Sequence, residues 1–434
     1  MAKIIKFFQT IRNNWKKSVV GAAALSYGIS YSKDTYNTNQ LMREYCQNAV
    51  KYGDIPLPTN VKPRHVTVIL NPAAKNGKAK TLFQKYCEPL LHLAGIAVTV
   101  IQTKSDKAAR KIIMNLDTPT DAIIVAGGDG TLSDALTGLV RKYNSNLNLV
   151  KQCPIGIIPL GTTNTVGKSL YQKYDNLHDV RTLIEATMAI ICEKTKFKDI
   201  VEILPLEVDE QVQPTYAMGA IQWGAWRDAH ALVNKYWYWG SLRKYVAYIF
   251  NGYKQKLNWN CNAMLKYTDP CSGCSHCCQS HYSQTESSNI NKRWWHAFLP
   301  RTNTLLLANS VDYSKIINEN CGVHHEIPIS TTELHIETSN VNRSSDAASK
   351  PSLKVAIGPK DVGYSTFVSE GWKQEKDGEL LKESELEAKD IELIPEKVNH
   401  ERSFYIDNED YELRSVRIKL LPQAVKIFCP ASGS

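Results

Sequence analysis

The residues with the clearest chemistry are Gly127-Gly128-Asp129-Gly130-Thr131. They are set between the apolar run 121–126 (DAIIVA) and a segment where Leu132, Ala135, Leu136, Leu139 and Val140 recur at helical spacing. Glycines in series admit positive φ and let backbone N–H groups approach a phosphate, while the following helix turns its positive end to the same point. A carboxylate there repels an anion unless it holds a divalent cation or accepts a proton, so Asp129 points to catalysis rather than to simple binding. The same letters also describe a tight structural turn with Asp129 as helix cap.

Two more turns stand after apolar runs. Asn71-Pro72-Ala73-Ala74-Lys75-Asn76-Gly77-Lys78 follows 66–70 (VTVIL), and Gly161-Thr162-Thr163-Asn164 follows 154–160 (PIGIIPL). Ligands of open α/β sheets bind beyond the carboxyl ends of the strands, so three such turns converge on one crevice. The first is not a P-loop: Ala79 follows Gly77-Lys78, and no glycine stands five positions earlier. No G-x-G-x-x-G follows the first strand, which argues against a dinucleotide redox enzyme. Near the end, Asp407-Asn408-Glu409 puts two carboxylates around a residue that tolerates positive φ. Read alone, beside Asp410 and Glu412, it is a solvated acidic hairpin.

The elements that must position these turns are legible from residue 61 onward, where strand-like and helix-like segments alternate as in an α/β layer with a mainly parallel sheet. Residues 78–93 place Leu82, Phe83, Cys87, Leu90 and Leu91 at helical spacing. Strand 96–101 follows, and Ser105 is placed to cap a helix carrying Ala108, Ala109, Ile112, Ile113 and Leu116. Beyond Phe197 helical periodicity thins and short strands dominate, with 201–208, 304–308, 333–337 and 416–421 as examples. The stretches 272–292 (rich in Cys, Ser, His and Asn) and 373–397 (strongly charged) read as surface insertions. The expected organisation is a basic and apolar targeting or anchoring segment at 1–60 and an α/β nucleotide-binding domain at 61–196. A β-rich sandwich at 197–434 follows, with insertions near 270–292 and 373–397.

Composition bounds the function. With 43% hydrophobic and 22% charged residues in 434, the chain is an ordinary globular protein, and its net charge of +9 suits a phosphate-bearing ligand or an anionic membrane surface. No dense basic block interleaved with aromatics is present, so nucleic acid is not implied. Lys3, Lys6, Arg12, Lys16 and Lys17 precede the first acidic residue, Asp34, and the mildly apolar run 19–31 is shorter than the ~20 residues of a membrane-crossing helix. That pattern favours mitochondrial targeting or a membrane-surface helix over a secretory signal. Cys271, Cys274, Cys277 and Cys278, with His276 and His281, have spacings that suit zinc, reactive thiols or local disulfides; no second, well-separated cysteine pair accompanies them.

The Asn-Pro turn, the Gly-Gly-Asp-Gly-Thr loop, the Leu160-Gly161-Thr162 turn and the late Asp407-Asn408-Glu409 together resemble the diacylglycerol kinase catalytic-domain family. The likeness is closest to its acylglycerol kinases, through Asn13-Asn14-Trp15-Lys16-Lys17, Leu70-Asn71-Pro72-Ala73-Ala74, Trp223-Gly224 with Arg227-Asp228, and Lys235-Tyr236-Trp237-Tyr238. NAD kinases share the glycine loop but not the Asn-Pro turn. The resemblance implies an α/β nucleotide-binding domain, a C-terminal β-sandwich, and ATP and Mg²⁺ in phosphoryl transfer to a lipid hydroxyl, converting monoacylglycerol and diacylglycerol to lysophosphatidic and phosphatidic acid. It implies a mitochondrial address at the inner membrane facing the intermembrane space. It also implies an association with carrier translocase subunits there, which makes a kinase-independent assembly role the alternative function. By the same resemblance Asn71, Lys75, Gly77, Lys78 and Thr103 line the nucleotide phosphates. Gly127, Gly128, Gly130 and Thr131 hold the transferring group, and Gly161, Thr162 and Asn164 close the nucleotide site. Asp129 is ranked first as base and metal holder, with Asp407 and Glu409 sharing those tasks. Asn408 replaces the central glycine of the family's Asp-Gly-Glu, and Thr163 stands where the family often has glycine.

Overall fold

The computed structural model describes residues 13–58, 61–105, 107–171, 177–206, 213–254, 261–271, 273–275, 316–338, 351–378, 380–396 and 403–430. The basic Lys3, Lys6 and Arg12, the strand expected at 304–308, and His276, Cys277, Cys278 and His281 lie outside them. The chain divides into two compact units, Met1–Lys198 with Ala424–Ser434, and Asp199–Gln423. The C-terminal residues therefore return to the first unit, where the sequence had put them in the second.

In the first unit β1 (His65–Leu70), β2 (Ala97–Gln102), β3 (Ala122–Gly127) and β4 (Ile155–Pro159) form a parallel sheet in the order β2-β1-β3-β4. β1, β3 and β4 are almost wholly buried, as continuous apolar runs must be when helices cover both faces. The end of the last strand joins this sheet, with Ile427 opposite Ile155.

The helix expected at 78–93 forms in three pieces: α2 (Ala79–Leu82), a π-helical turn (Phe83–Cys87) and α3 (Glu88–Leu93). The wider turn lets Phe83, Tyr86 and Cys87 all point inward. Ser105 is not the cap of α4 (Ala108–Met114); that position is Lys107, at φ 59°, and the carbonyl of Ser105 accepts from Ala108 N–H. α5 (Asp129–Lys142) follows β3, and α6 (Leu147–Val150), α7 (Thr165–Leu170) and α8 (His178–Ile191) complete the layer.

The segment expected to be a separate anchor is a 39-residue helix, α1 (Trp15–Gly53), about 58 Å long at 1.5 Å per residue. Its second half packs Leu41 and Ala49 into the core of the α/β unit, while Trp15, Val19, Val20, Leu25, Tyr27, Ile29 and Tyr31 are exposed. Among the described residues no helix is long and apolar enough to cross a membrane.

The second unit is sheet-rich. One antiparallel group runs β16 (Val416–Phe428), β13 (Asp390–Pro395), β8 (Cys261–Thr268), β9 (His324–Thr331), with β5 (Thr195–Pro205) and β6 (Thr215–Ala217) attached. The other sheet has the order β12 (Ser384–Ala388), β11 (Leu353–Ile357), β10 (Glu333–Thr338), β7 (Ala220–Gly224), β14 (Ser403–Ile406), β15 (Glu409–Glu412). Ile391, Leu393 and Ile418 of the first share one apolar core with Trp223, Ile336 and Phe404 of the second, which makes a sandwich.

Two expectations change here. The stretch 373–397, expected as an insertion, carries β12 and β13, in which Glu385 and Glu387 are exposed while Ile391 and Leu393 fill the core. The unit also holds helices α9 (Ala225–Ala231), α10 (Arg243–Lys254) and α11 (Tyr364–Asp377), with a kinked 3₁₀ segment, Leu232–Leu242, between the first two. Aromatic residues crowd that segment and hide the helical period. The helices are held by Trp226 stacked on Phe367 at 5.5 Å, with Tyr248 edge-on to the same ring.

Candidate active site

The strands of the parallel sheet end level with one another. Leu70 lies opposite both Gln102 and Ala126, and Gly127 lies opposite Pro159. The turns that follow are therefore neighbours at one sheet edge. Asn71 N–H donates to Ala126 O at 3.0 Å, Thr103 N–H to Leu70 O at 2.9 Å, and the N–H groups of Leu160 and Gly161 both to Gly127 O at 3.0 Å. Asn71 Nδ2 donates to Thr131 Oγ1 at 3.2 Å, which ties the Asn-Pro turn to the glycine loop.

Glycine is required where the loops meet. A Cβ on Gly161 would sit 2.3 Å from the α-carbon of Gly128, and one on Gly127 would sit 2.7 Å from Thr131 Oγ1. Asn164 clasps its own turn, with Oδ1 accepting from Gly161 N–H at 3.0 Å and Nδ2 donating to Gly161 O at 2.8 Å. Thr162 is exposed between them.

Asp129 opens α5 and is buried. Its N–H donates to Thr163 O at 3.2 Å, while Oδ2 accepts from both the N–H and the hydroxyl of Thr165 at 2.8 and 3.0 Å. The carboxylate thus caps the start of α7, and α7 fixes its direction. Thr165 was not singled out from the sequence; the only signal was its position at the first helical residue after the Gly-Thr-Thr-Asn turn. The N–H groups of Gly130 and Thr131 belong to the first turn of α5, where no carbonyl of the helix reaches them.

The long turn after β1 puts Lys75, Asn76 and Gly77 in succession at φ 53°, 56° and 80°, with open space above the Gly77 α-carbon. Lys75 Nζ is bonded to Asp179 Oδ2 of α8 at 2.8 Å, and Lys78 is exposed. Thr103 is nearly buried at the tip of β2.

Asp407 and Glu409 belong to the other unit. Asp407 and Asn408, at φ 48° and 69°, make the two-residue turn between β14 and β15. The Asp407 carboxylate is buried and accepts three backbone N–H groups, from Met218 at 3.0 Å, Gly219 at 2.9 Å and Ala220 at 3.0 Å. Arg227, named in the sequence only as part of a family signature, donates to Asn408 O at 3.1 Å and stacks 4.5 Å over the Tyr405 ring, which braces the same turn. Glu409 starts β15 opposite Ile406 and is half-buried.

In the same unit a small cleft is lined by Trp226, Glu333, His335, Gly358, Gln374 and Leu381. Glu333 is buried there, which pushes its carboxyl up to about 7 even though Oε2 accepts from Trp226 N–H at 3.0 Å.

Comparison with known proteins agrees with this architecture. Residues 65–202 match the model of the diacylglycerol kinase catalytic domain, and residues 218–433 match that of the acylglycerol kinase C-terminal region. The mitochondrial acylglycerol kinase of Pongo abelii is 34% identical over 427 residues, covering 98% of this chain and 96% of that protein; the Homo sapiens protein of the same name is 33% identical over the same shares. Human sphingosine kinase 1 is 27% identical over 191 residues, 43% of this chain and 48% of its own length. A solved structure described as a candidate diacylglycerol kinase from Bacillus anthracis str. Sterne shares the fold, with a TM-score of 0.51 at 17% identity over 86% of this chain and 100% of that one. The chain belongs to the acylglycerol kinase family, lipid kinases that carry the diacylglycerol kinase catalytic domain. As a kinase of this family it draws its phosphoryl group from ATP.

Proposed function

We propose that the chain phosphorylates the free hydroxyl of monoacylglycerol and diacylglycerol, giving lysophosphatidic and phosphatidic acid. The observation that carries this reading is the meeting of three turns at adjacent strand tips, with a buried carboxylate among them. The donor set fits a nucleotide tail and a magnesium ion. Gly127, Gly128 and Gly161 bring backbone close without side chains, the first-turn N–H groups of Gly130 and Thr131 suit phosphate oxygens, and the left-handed Lys75–Gly77 turn with Lys78 suits the phosphates further out.

Asn71, through Thr131, keeps the two loops in register, and Thr103, Thr162 and Asn164 border the nucleotide. Lys75 exchanges its exposed partner Asp179 for phosphate at little cost, because exposed ion pairs contribute about 0–1 kcal/mol. Magnesium would be held by Asp129 and would supply neutralisation of the phosphate charge. Asp129, oriented by Thr165, accepts the proton of the attacking hydroxyl; Asp407 positions the turn that presents Glu409. Such transfer depends mainly on placement and charge rather than on covalent chemistry of the protein.

The membrane side of the proposal is supported by exposed Trp237, Tyr238, Trp239 and Leu242, flanked by Lys235, Arg243 and Lys244, and by the exposed apolar half of α1. Aromatics beside basic residues suit a lipid headgroup boundary. The relatives' names support a mitochondrial address, and we place the protein at the inner membrane facing the intermembrane space. Phospholipid formation from labelled ATP and monoacylglycerol tests the reading. Wild type should turn over and Asp129→Ala should not; turnover in that variant removes Asp129 from the mechanism.

A second reading, a kinase-independent subunit of the carrier translocase, is favoured by the exposed apolar residues in the first half of α1. Deleting residues 1–31 would then abolish function in cells that Asp129→Ala preserves.

A further inference from the structure

β8 and β9 pair as far as Thr268 opposite His324. Just past that open end, Cys271 and Cys274 stand on the outgoing limb and Cys321 on the returning one, with residues 275–320 between them in sequence. The limbs are tied by Ser275 N–H donating to Ile316 O at 2.9 Å. The three sulfurs all lie within 4.8 Å of one another, Cys271 and Cys274 are buried, and all three are thiols. We propose that Cys271, Cys274 and Cys321 form a structural zinc site that clamps the neck of the 275–320 excursion.

Geometry supports the metal. Tetrahedral zinc with sulfur at about 2.3 Å sets neighbouring sulfurs about 3.8 Å apart, so the observed cluster closes on an ion with shifts of about an ångström. Asn318 Nδ2 donates to Cys271 Sγ at 3.3 Å, the kind of outer contact that supports a ligating thiolate. The returning limb is shaped to aim its thiol: Cys321 N–H donates to Asn318 O at 3.1 Å, Asn320 N–H to Asn318 Oδ1 at 3.2 Å, and Gly322 follows at φ 86°. Gly273, at φ 131°, makes the corresponding bend between Cys271 and Cys274.

The competing account is that these are small apolar side chains in a core. Cys261 is one, since it packs within the sandwich core, but none of the three belongs to that cluster. Thiolates select zinc over magnesium or calcium, which take oxygen. A metal that joins Cys271 and Cys274 to Cys321 contributes its binding free energy to the folded state. The three sulfurs fill three tetrahedral positions, and a donor outside them completes the shell.

The test is metal analysis of the full-length protein purified from zinc-supplemented cells, followed by exchange with cobalt(II). The expected result is close to one zinc per chain and a thiolate-to-cobalt charge-transfer absorption. Cys321→Ser and Cys271→Ser should each lower zinc content at least about tenfold, and Cys46→Ser, in α1, should leave it unchanged. If the cysteine variants fail to fold, the wild-type cobalt spectrum decides. Wild type without zinc or a thiolate–cobalt band, zinc retained in both variants, or a disulfide among the three cysteines overturns the proposal.

Discussion

Gly161 and Gly128 approach so closely that a methyl group on the first would lie 2.3 Å from the α-carbon of the second. Two loops from different strands therefore share space that only hydrogen can fill. Gly161→Ala is expected to force them apart, lower kcat/KM at least about a hundredfold, and destabilise the α/β unit by about 1–3 kcal/mol. Gly77→Ala meets open space and costs only backbone strain of about 1 kcal/mol. Steady-state kinetics with denaturant unfolding of both variants checks the contrast, and equal losses would contradict it.

Thr165 positions Asp129 through two donors, one of which is its hydroxyl. Thr165→Val removes that donor and should lower kcat about tenfold while KM for ATP changes less than about twofold; Thr165→Ser should restore most of the rate. A Val variant impaired only in KM would assign Thr165 to nucleotide binding instead.

Asp407 binds three backbone N–H groups in a buried setting. Asp407→Asn turns an amide donor toward other donors, so the second unit should lose about 2–4 kcal/mol. Chemical denaturation measures it. An unchanged unfolding midpoint with lost turnover would make Asp407 a reacting group rather than a structural one.

Glu333 gives a pH dependence whose sign is set. Burial raises its pKa from 4.5 to about 7, so between those values the folded chain binds the extra proton and stability falls as pH rises. At about 1.4 kcal/mol per unit, the effect approaches ~3 kcal/mol across the window. Glu333→Gln should flatten that slope and be the more stable form above about pH 7, measured by urea unfolding at several pH values. Glu375 does not confound the result: against its burial, His230 and Lys244 hold it down to about 2, so its contribution is lost only as pH falls below 4.5. An unaltered slope in the variant would remove Glu333 as its source.

Much of the catalytic half was legible in the chain itself. Apolar runs such as DAIIVA and PIGIIPL are buried on both faces and need no tertiary information to read as parallel strands, and the turns after them carry the residues that meet at the sheet edge. The second half was harder. In β13 charged and apolar residues alternate, so a strand with Ile391 and Leu393 in the core looks like a charged stretch. The 3₁₀ segment Leu232–Leu242 carries four consecutive aromatic residues, Tyr236 to Trp239, across its kink, and they mask any period.

Sequence alone determined the residue types at the strand tips and the family they belong to, because glycine, asparagine and aspartate in those positions answer to local backbone and phosphate chemistry. The tertiary structure decided which groups touch: Thr165 with Asp129, Arg227 with the Asp407–Asn408 turn, and Cys321 with Cys271 and Cys274. Those contacts join residues 36 to 181 positions apart or close a long excursion. Spacing in the chain carries no trace of them, since strand order and loop return set the distances.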